Sequence, residues 1–168
     1  MIHRQQSKAA SSAWLLLLLL LLSGCGFHLK GYQQVSPVLN GLYVVGGDQR
    51  DSLAGVLQRN LRGAGVKLAA DEATAKYRLQ ITREKFLSRV LAVDANGKAL
   101  DTELELRAAY RLSRVGEEPL EEELELVRQL SYSGTDELGQ RNESALLTTD
   151  MRSDMANQII RQLQARLK

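Results

Sequence analysis

Residues 99 to 113 read ALDTELELRAAYRLS, and the alternation within them decides the fold class. Leu100, Thr102, Leu104, Leu106, Ala108, Tyr110 and Leu112 point one way, while Asp101, Glu103, Glu105, Arg107 and Arg111 point the other. A period of two marks a strand with one dry and one wet face, and antiparallel sheets are where such strands occur. Upstream, Asp94-Ala95-Asn96-Gly97 contains the Asn-Gly pair that permits positive φ in a tight hairpin. Before it, Tyr77, Leu79 and Ile81 alternate with Lys76, Arg78 and Gln80, a half-buried strand. Downstream, Gly116 to Pro119 makes a second turn. A third long strand then carries Leu120, Leu124, Leu126, Leu130 and Tyr132 on one face.

The period changes at both ends of this meander. From about Glu143, Leu147, Met151, Met155, Ile159, Leu163 and Leu167 recur every four residues, and Ala156 and Ile160 widen the stripe. Asn142 is the expected cap, with Glu143 in the first turn. On the N-terminal side, Leu42 to Val45 is a short apolar run ended by Gly46-Gly47. Asp48 is placed to cap the next helix, in which Leu53, Val56, Leu57 and Leu61 share a face before Gly63 and Gly65 stop it. The expected fold is α+β, with two helices on one face of a four-stranded, mostly antiparallel sheet in the order β-α-β-β-β-α. The first strand is expected to pair in parallel, because a helix follows it. Residues 42–168 form one domain of this kind, and residues 25–41, rich in glycine and polar residues, read as a tether.

Residues 1–24 are a separate matter. His3, Arg4 and Lys8 precede an apolar stretch of ten, Ala13 to Leu22, which includes eight consecutive leucines. A bilayer-spanning helix needs about 20 apolar residues, so this is a removable leader rather than a span. Leu22-Ser23-Gly24-Cys25 resembles the bacterial lipobox, in which the cysteine becomes the first mature residue. Its thiolate takes up a diacylglyceryl group as a thioether, and the freed amine can be acylated; two or more chains give stable anchoring. An ordinary secreted protein with a cysteine just past its leader shares the same composition. Gly26 stands where an aspartate would suggest inner-membrane retention, so the lipoprotein resemblance implies the periplasmic face of the outer membrane.

Composition excludes much chemistry. From Cys25 onward 20 basic groups meet 20 acidic ones, since Arg4 and Lys8 are the only charges before it. Zero net charge argues against nucleic-acid binding, which needs an excess of cations. One cysteine and, past the leader, one histidine (His28) leave no base for a nucleophile and no ligand set for zinc. No phosphate-cradling glycine motif is present, so neither an enzyme nor a cofactor is expected. Glu121, Glu122, Glu123 and Glu125 read as a solvated edge, and the methionine stripe reads as core. One pattern is less bland. The parity that buries Tyr77, Leu79 and Ile81 continues through Arg83, Lys85 and Arg89. Either a bulge shifts the phase there, leaving solvated cations, or the hairpin runs past the helices. In the second case the cations, joined by Lys98 at the turn, form a basic patch for an anionic ligand or partner.

The string from Leu22 through Cys25-Gly26-Phe27-His28-Leu29-Lys30-Gly31 resembles the start of the LptE family of lipopolysaccharide-assembly lipoproteins. The element order, the hairpin Asn96-Gly97 and the stretch Asp154 to Leu163 (DMANQIIRQL) resemble that family too. The resemblance implies an outer-membrane lipoprotein that plugs a large β-barrel, LptD, helps it assemble, and binds lipopolysaccharide. Cys25 would carry the lipid and anchor the chain to the membrane. Relatives can carry a basic residue where Ala95 stands here, so Arg83, Lys85, Arg89 and Lys98 are the substitute ligand contacts. The readings in other classes are a free-standing periplasmic carrier of a lipid or glycan, and an accessory lipoprotein of another envelope machine.

Overall fold

The alternating stretch becomes an interior strand of a four-stranded sheet. A computed structural model describes residues 35–47, 50–132 and 137–167. The elements run β1 (Leu42–Val45), α1 (Leu53–Gly63), β2 (Tyr77–Val93), β3 (Ala99–Ser113), β4 (Leu120–Ser131) and α2 (Glu137–Arg166). Sheet order equals chain order; β1 lies parallel to β2 across the α1 connection, and the other pairs are antiparallel. This is the expected β-α-β-β-β-α architecture.

The helices cover one face of the sheet, α1 over β1 and β2 and α2 over β3 and β4. Leu104, Leu106, Ala108, Tyr110 and Leu112 of β3 are buried in one core with Leu53, Leu57 and Leu61 of α1 and Met151, Met155, Ile159 and Leu163 of α2. A fully buried side chain of this size contributes about 1.5–3 kcal/mol, so the two apolar stripes carry the fold. The methionine stripe is core, as its spacing suggests. Asn60 of α1 donates to Asn157 of α2 at 3.1 Å, tying the helices to each other.

Four details differ from the sequence reading. α2 begins at Glu137, six residues before Glu143, so Asn142 lies inside the helix and does not cap it. That first part bears no apolar stripe and is mostly exposed, which leaves nothing periodic to detect. The cap of α1 is Ser52, whose hydroxyl accepts from the Gly55 N–H at 3.2 Å; Asp48 lies outside the described residues. Of the stretch 25–41, residues 25–34 lie outside the described residues, as do the leader and Cys25. Pro37–Leu39 forms a 3-10 turn, and Leu39 is wholly buried in the core. The hairpin is closed by the Gly97 N–H donating to the Asp94 carbonyl at 3.0 Å. Gly97 alone takes positive φ (+80°), so the loop has the three-residue form with a left-handed glycine at its end. The Asp94 carboxylate accepts from the Lys98 and Asn96 N–H groups at 2.9 and 2.8 Å, and these bonds hold its pKa below the usual carboxylate value.

Gly46 closes β1 against β2. Its φ is +132°, and a Cβ there would lie 2.6 Å from the Ile81 carbonyl oxygen; a Cβ on Gly97 would meet nothing within 4 Å. Gly46→Ala is therefore expected to lower stability by at least about 2 kcal/mol, combining strain with collision, and Gly97→Ala by about 1 kcal/mol through strain alone. Urea denaturation of the two variants checks the order.

Tyr110 is 1% exposed and donates to the Gln162 side-chain oxygen at 3.1 Å. Burial, helped by the nearby Glu122 carboxylate, pushes its phenol up to about 12. Because the folded pKa exceeds the unfolded value near 10, this contribution to stability is complete below pH 10 and is lost as pH rises through 12. Tyr110→Phe is expected to flatten the fall of stability between pH 10 and 12, read from denaturation midpoints across that range.

Candidate functional site

One residue sorts the charges of β2. Ile81 pairs with Tyr110 and Arg83 with Ala109, so Thr82 is an extra residue, a bulge. Before it, odd-numbered residues (Tyr77, Leu79, Ile81) face the helices. After it, even-numbered ones do: Glu84 opposes Ala108 and Phe86 opposes Leu106. Arg83, Lys85 and Arg89 therefore lie on the outer face, away from the core. Further shifts at Leu91 and Leu100 twist the end of the hairpin.

The outer face is a grid of ion pairs. Arg83 meets Glu123 at 3.0 Å, Arg89 meets Glu103 at 2.7 Å, and Arg111 donates to Glu121 at 2.7 Å. Arg107 contacts Glu105 beside it on β3 and lies 3.6 Å from Glu125 on β4. Lys85 is exposed and makes no ion pair among the described residues. Along register positions 103 to 111 this face holds five cations (Arg83, Lys85, Arg89, Arg107, Arg111) and five glutamates (Glu103, Glu105, Glu121, Glu123, Glu125). Such exposed pairs each contribute about 0–1 kcal/mol. Their effect is a hydrated face of alternating sign with no net field. Arg83, Lys85 and Arg89 form a row about 20 Å long at the strand rise, and Lys98 stands apart at the base of the hairpin, its N–H held by Asp94. The structure thus brings three of the four together in a line rather than a pocket.

On the helix side the bulge delivers Glu84. Its Oε2 accepts the Leu53 N–H at the start of α1 at 2.9 Å, and its Oε1 accepts from Arg152 Nε of α2 at 2.7 Å. The Arg152 guanidinium in turn lies 4.9 Å from the centroid of the Phe86 ring. One carboxylate therefore joins the sheet to both helices and offsets the positive end of the α1 dipole. Sequence parity places Glu84 on the wet face, so reading the residues missed it; only the bulge reveals it.

Beyond Phe86, β2 runs past its helical cover. Val90, Leu91 and Val93, with Leu100 of β3, are 41–55% exposed. The bulge and the projecting hairpin, posed above as alternatives, are both present. Among the described residues no cluster of three or more metal-ligating side chains occurs, and no helix is long and apolar enough to cross a membrane.

The family model for LptE, described as lipopolysaccharide assembly, matches residues 39–163. The chain belongs to the LptE family. The match begins at Leu39, the buried residue ahead of β1, and so is independent of the Cys25 segment. Among solved structures, an uncharacterized lipoprotein B from Nitrosomonas europaea is 26% identical, with a TM-score of 0.65 over 83% of this chain and 91% of that one. The rare lipoprotein B of Shewanella oneidensis shares the fold at 17% identity, with a TM-score of 0.64 over 74% of this chain and 95% of that one. A minor lipoprotein from Acinetobacter baumannii does so at 20% identity, with a TM-score of 0.59 over 74% and 90%. No match was found among curated protein sequences. LptE membership makes this a lipopolysaccharide-assembly lipoprotein of the cell envelope, and not an enzyme.

Glu84→Ala is expected to cost about 1.5–3 kcal/mol, the range for bonds to a charged group. Arg152→Ala in the same background should add little, giving a coupling energy above about 0.5 kcal/mol. A double-mutant cycle by urea denaturation measures it.

Proposed function

We propose that this LptE-family chain is an outer-membrane lipoprotein, anchored through Cys25 on the periplasmic side, that plugs the LptD β-barrel and assists its assembly. In that position it binds lipopolysaccharide and helps deliver it to the cell surface. The observation that carries the reading is the outer face of the sheet, where five cations and five glutamates alternate. The interior of a large outer-membrane barrel is polar and water-filled. A plug lying within it needs a hydrated surface able to answer both signs of charge, and a face without net field meets that need. A free-standing lipid carrier calls for an enclosed apolar cavity instead. The clefts on the described residues are open and lined by charged side chains, as beside Glu84 and Arg152 or beside Arg89 and Glu103.

Ligand contact is assigned to Arg83, Lys85, Arg89 and Lys98. Lipopolysaccharide carries phosphates and acyl chains, and Arg89 and Lys98 stand nearest the exposed apolar residues of the hairpin, with Lys85 and Arg83 further along the row. Lys85 is the cation of the row with no ion pair among the described residues, and Arg83 and Arg89 can trade a glutamate for a phosphate at small cost because their present pairs are surface pairs.

A C-terminal tag, mild detergent extraction of outer membranes and identification of what copurifies test this reading. A large β-barrel in one-to-one ratio is expected, with more than about 1,000 Å² buried between the two. Recovery of the chain alone with bound lipid supports the carrier instead. Cys25→Ala is expected to release the chain from the membrane fraction.

A further inference from the structure

At the end of the sheet opposite the 94–97 hairpin, charge is not balanced. The starts of β2 and the ends of β3 enclose, with the loop before β2, a cleft of about 250 Å³. Lys76, Arg78 and Arg114 line it against one carboxylate, Glu72, with Ser113 beside them. Two of the cations are held in place by one ring: Lys76 Nζ lies 5.1 Å and the Arg114 guanidinium 5.5 Å from the Tyr77 centroid. Glu117, outside the cleft, meets one nitrogen of Arg114 at 2.7 Å. Arg78 is the least satisfied. Its Nη1 is 3.4 Å from Glu72 in an open, half-exposed pair, and its Nε is buried with no hydrogen-bond partner among the described residues. A buried donor without an acceptor is costly, so this guanidinium is under-satisfied and its exposed Nη end is the part an anion can meet.

We propose that this cleft binds a phosphate group. The exposed Nη1–Nη2 end of the Arg78 guanidinium offers two parallel donors that match phosphate oxygens, and Lys76 and Arg114 supply point charge and a second fork. Glu72, 61% exposed and paired only at 3.4 Å, swings aside to water as the phosphate takes its place on Arg78. The cleft is large enough for a phosphate group and too small for acyl chains, which stay outside. The ligand is therefore inorganic phosphate or the headgroup of an anionic lipid. The site lies on the other side of the Thr82 bulge from Arg83, Lys85 and Arg89, and it stands whether or not the chain plugs a barrel.

The test uses the full chain in detergent, isotope-labelled, with the Arg78 Nε–H and Ser113 amide resonances followed by NMR. Inorganic phosphate is titrated first, then micelles doped with phosphatidylglycerol, then micelles doped with diacylglycerol. A saturable shift with phosphate and none with chloride at equal ionic strength is the expected result for a free-phosphate site. A shift with phosphatidylglycerol but not with phosphate or diacylglycerol identifies a lipid headgroup and equally supports the proposal. Arg78→Gln should weaken the affinity at the Ser113 amide at least about tenfold, and Arg78→Lys should lose less. Arg161→Gln, exposed on α2, should leave it unchanged. If Arg78→Gln fails to fold, the rim pair Lys76→Gln with Arg114→Gln replaces it. No saturable shift with either phosphate source, or equal affinity in the variants, overturns the site.

Discussion

The bulge at Thr82 is the constraint on which the rest depends. A strand's side chains alternate with period two, so one inserted residue exchanges the faces of everything after it. Were Thr82 paired in register instead of bulged, Arg83, Lys85 and Arg89 would enter the core side and Phe86 would leave it. With it, the cations join a hydrated face and Glu84 reaches the helices. That carboxylate receives the first turn of α1 and the guanidinium of α2 together. Sorting the faces of β2 and fastening the helix layer are consequences of leaving one residue out of the pairing.

Stability and recognition are assigned to different parts of this domain. Leucine, isoleucine and methionine stripes from the two helices bury against the sheet and supply the stability. The outer face supplies little, because exposed ion pairs contribute little each. What it supplies is compatibility with polar surroundings on a chain with no net charge past Cys25. The two ends of the sheet differ again. The hairpin end exposes Val90, Leu91, Val93 and Leu100, whereas the opposite end gathers Lys76, Arg78 and Arg114 around Tyr77.

Much of this was legible in the residues. Strict alternation in 99–113 gave the central strand, the four-residue recurrence from Leu147 gave the buried face of α2, and Gly46-Gly47 marked the end of β1. Those signals survive because each reflects burial on one side of a regular element. What was not legible reflects breaks in regularity or absence of burial. Thr82 has no marker distinguishing a bulged threonine from a paired one, so the bulge stayed one of two alternatives and Glu84 was not singled out. The start of α2 buries little and therefore has no stripe. Ser52 rather than Asp48 caps α1, since a cap is selected by backbone geometry that spacing alone does not give. Leu39 sits in a stretch whose polar composition reads as linker, yet it closes the core. Of the four cations singled out, three share a row, and the two alternatives offered for them, a bulge and a projecting hairpin, are both present.

Two deletions test this dependence most directly, measured as urea midpoints: that of Thr82, the unpaired residue, and that of Lys85, which is paired with Arg107. Removing Thr82 leaves every later residue of β2 on its present face, so the expected midpoint lies within about 1 kcal/mol of the parent, whereas removing Lys85 reverses the faces beyond it and is expected to abolish the cooperative transition. A Lys85 deletion that unfolds cooperatively at the parental midpoint, or a Thr82 deletion that does not fold, would contradict the role given to the bulge, and with it the placement of Glu84 and of the outer-face cations.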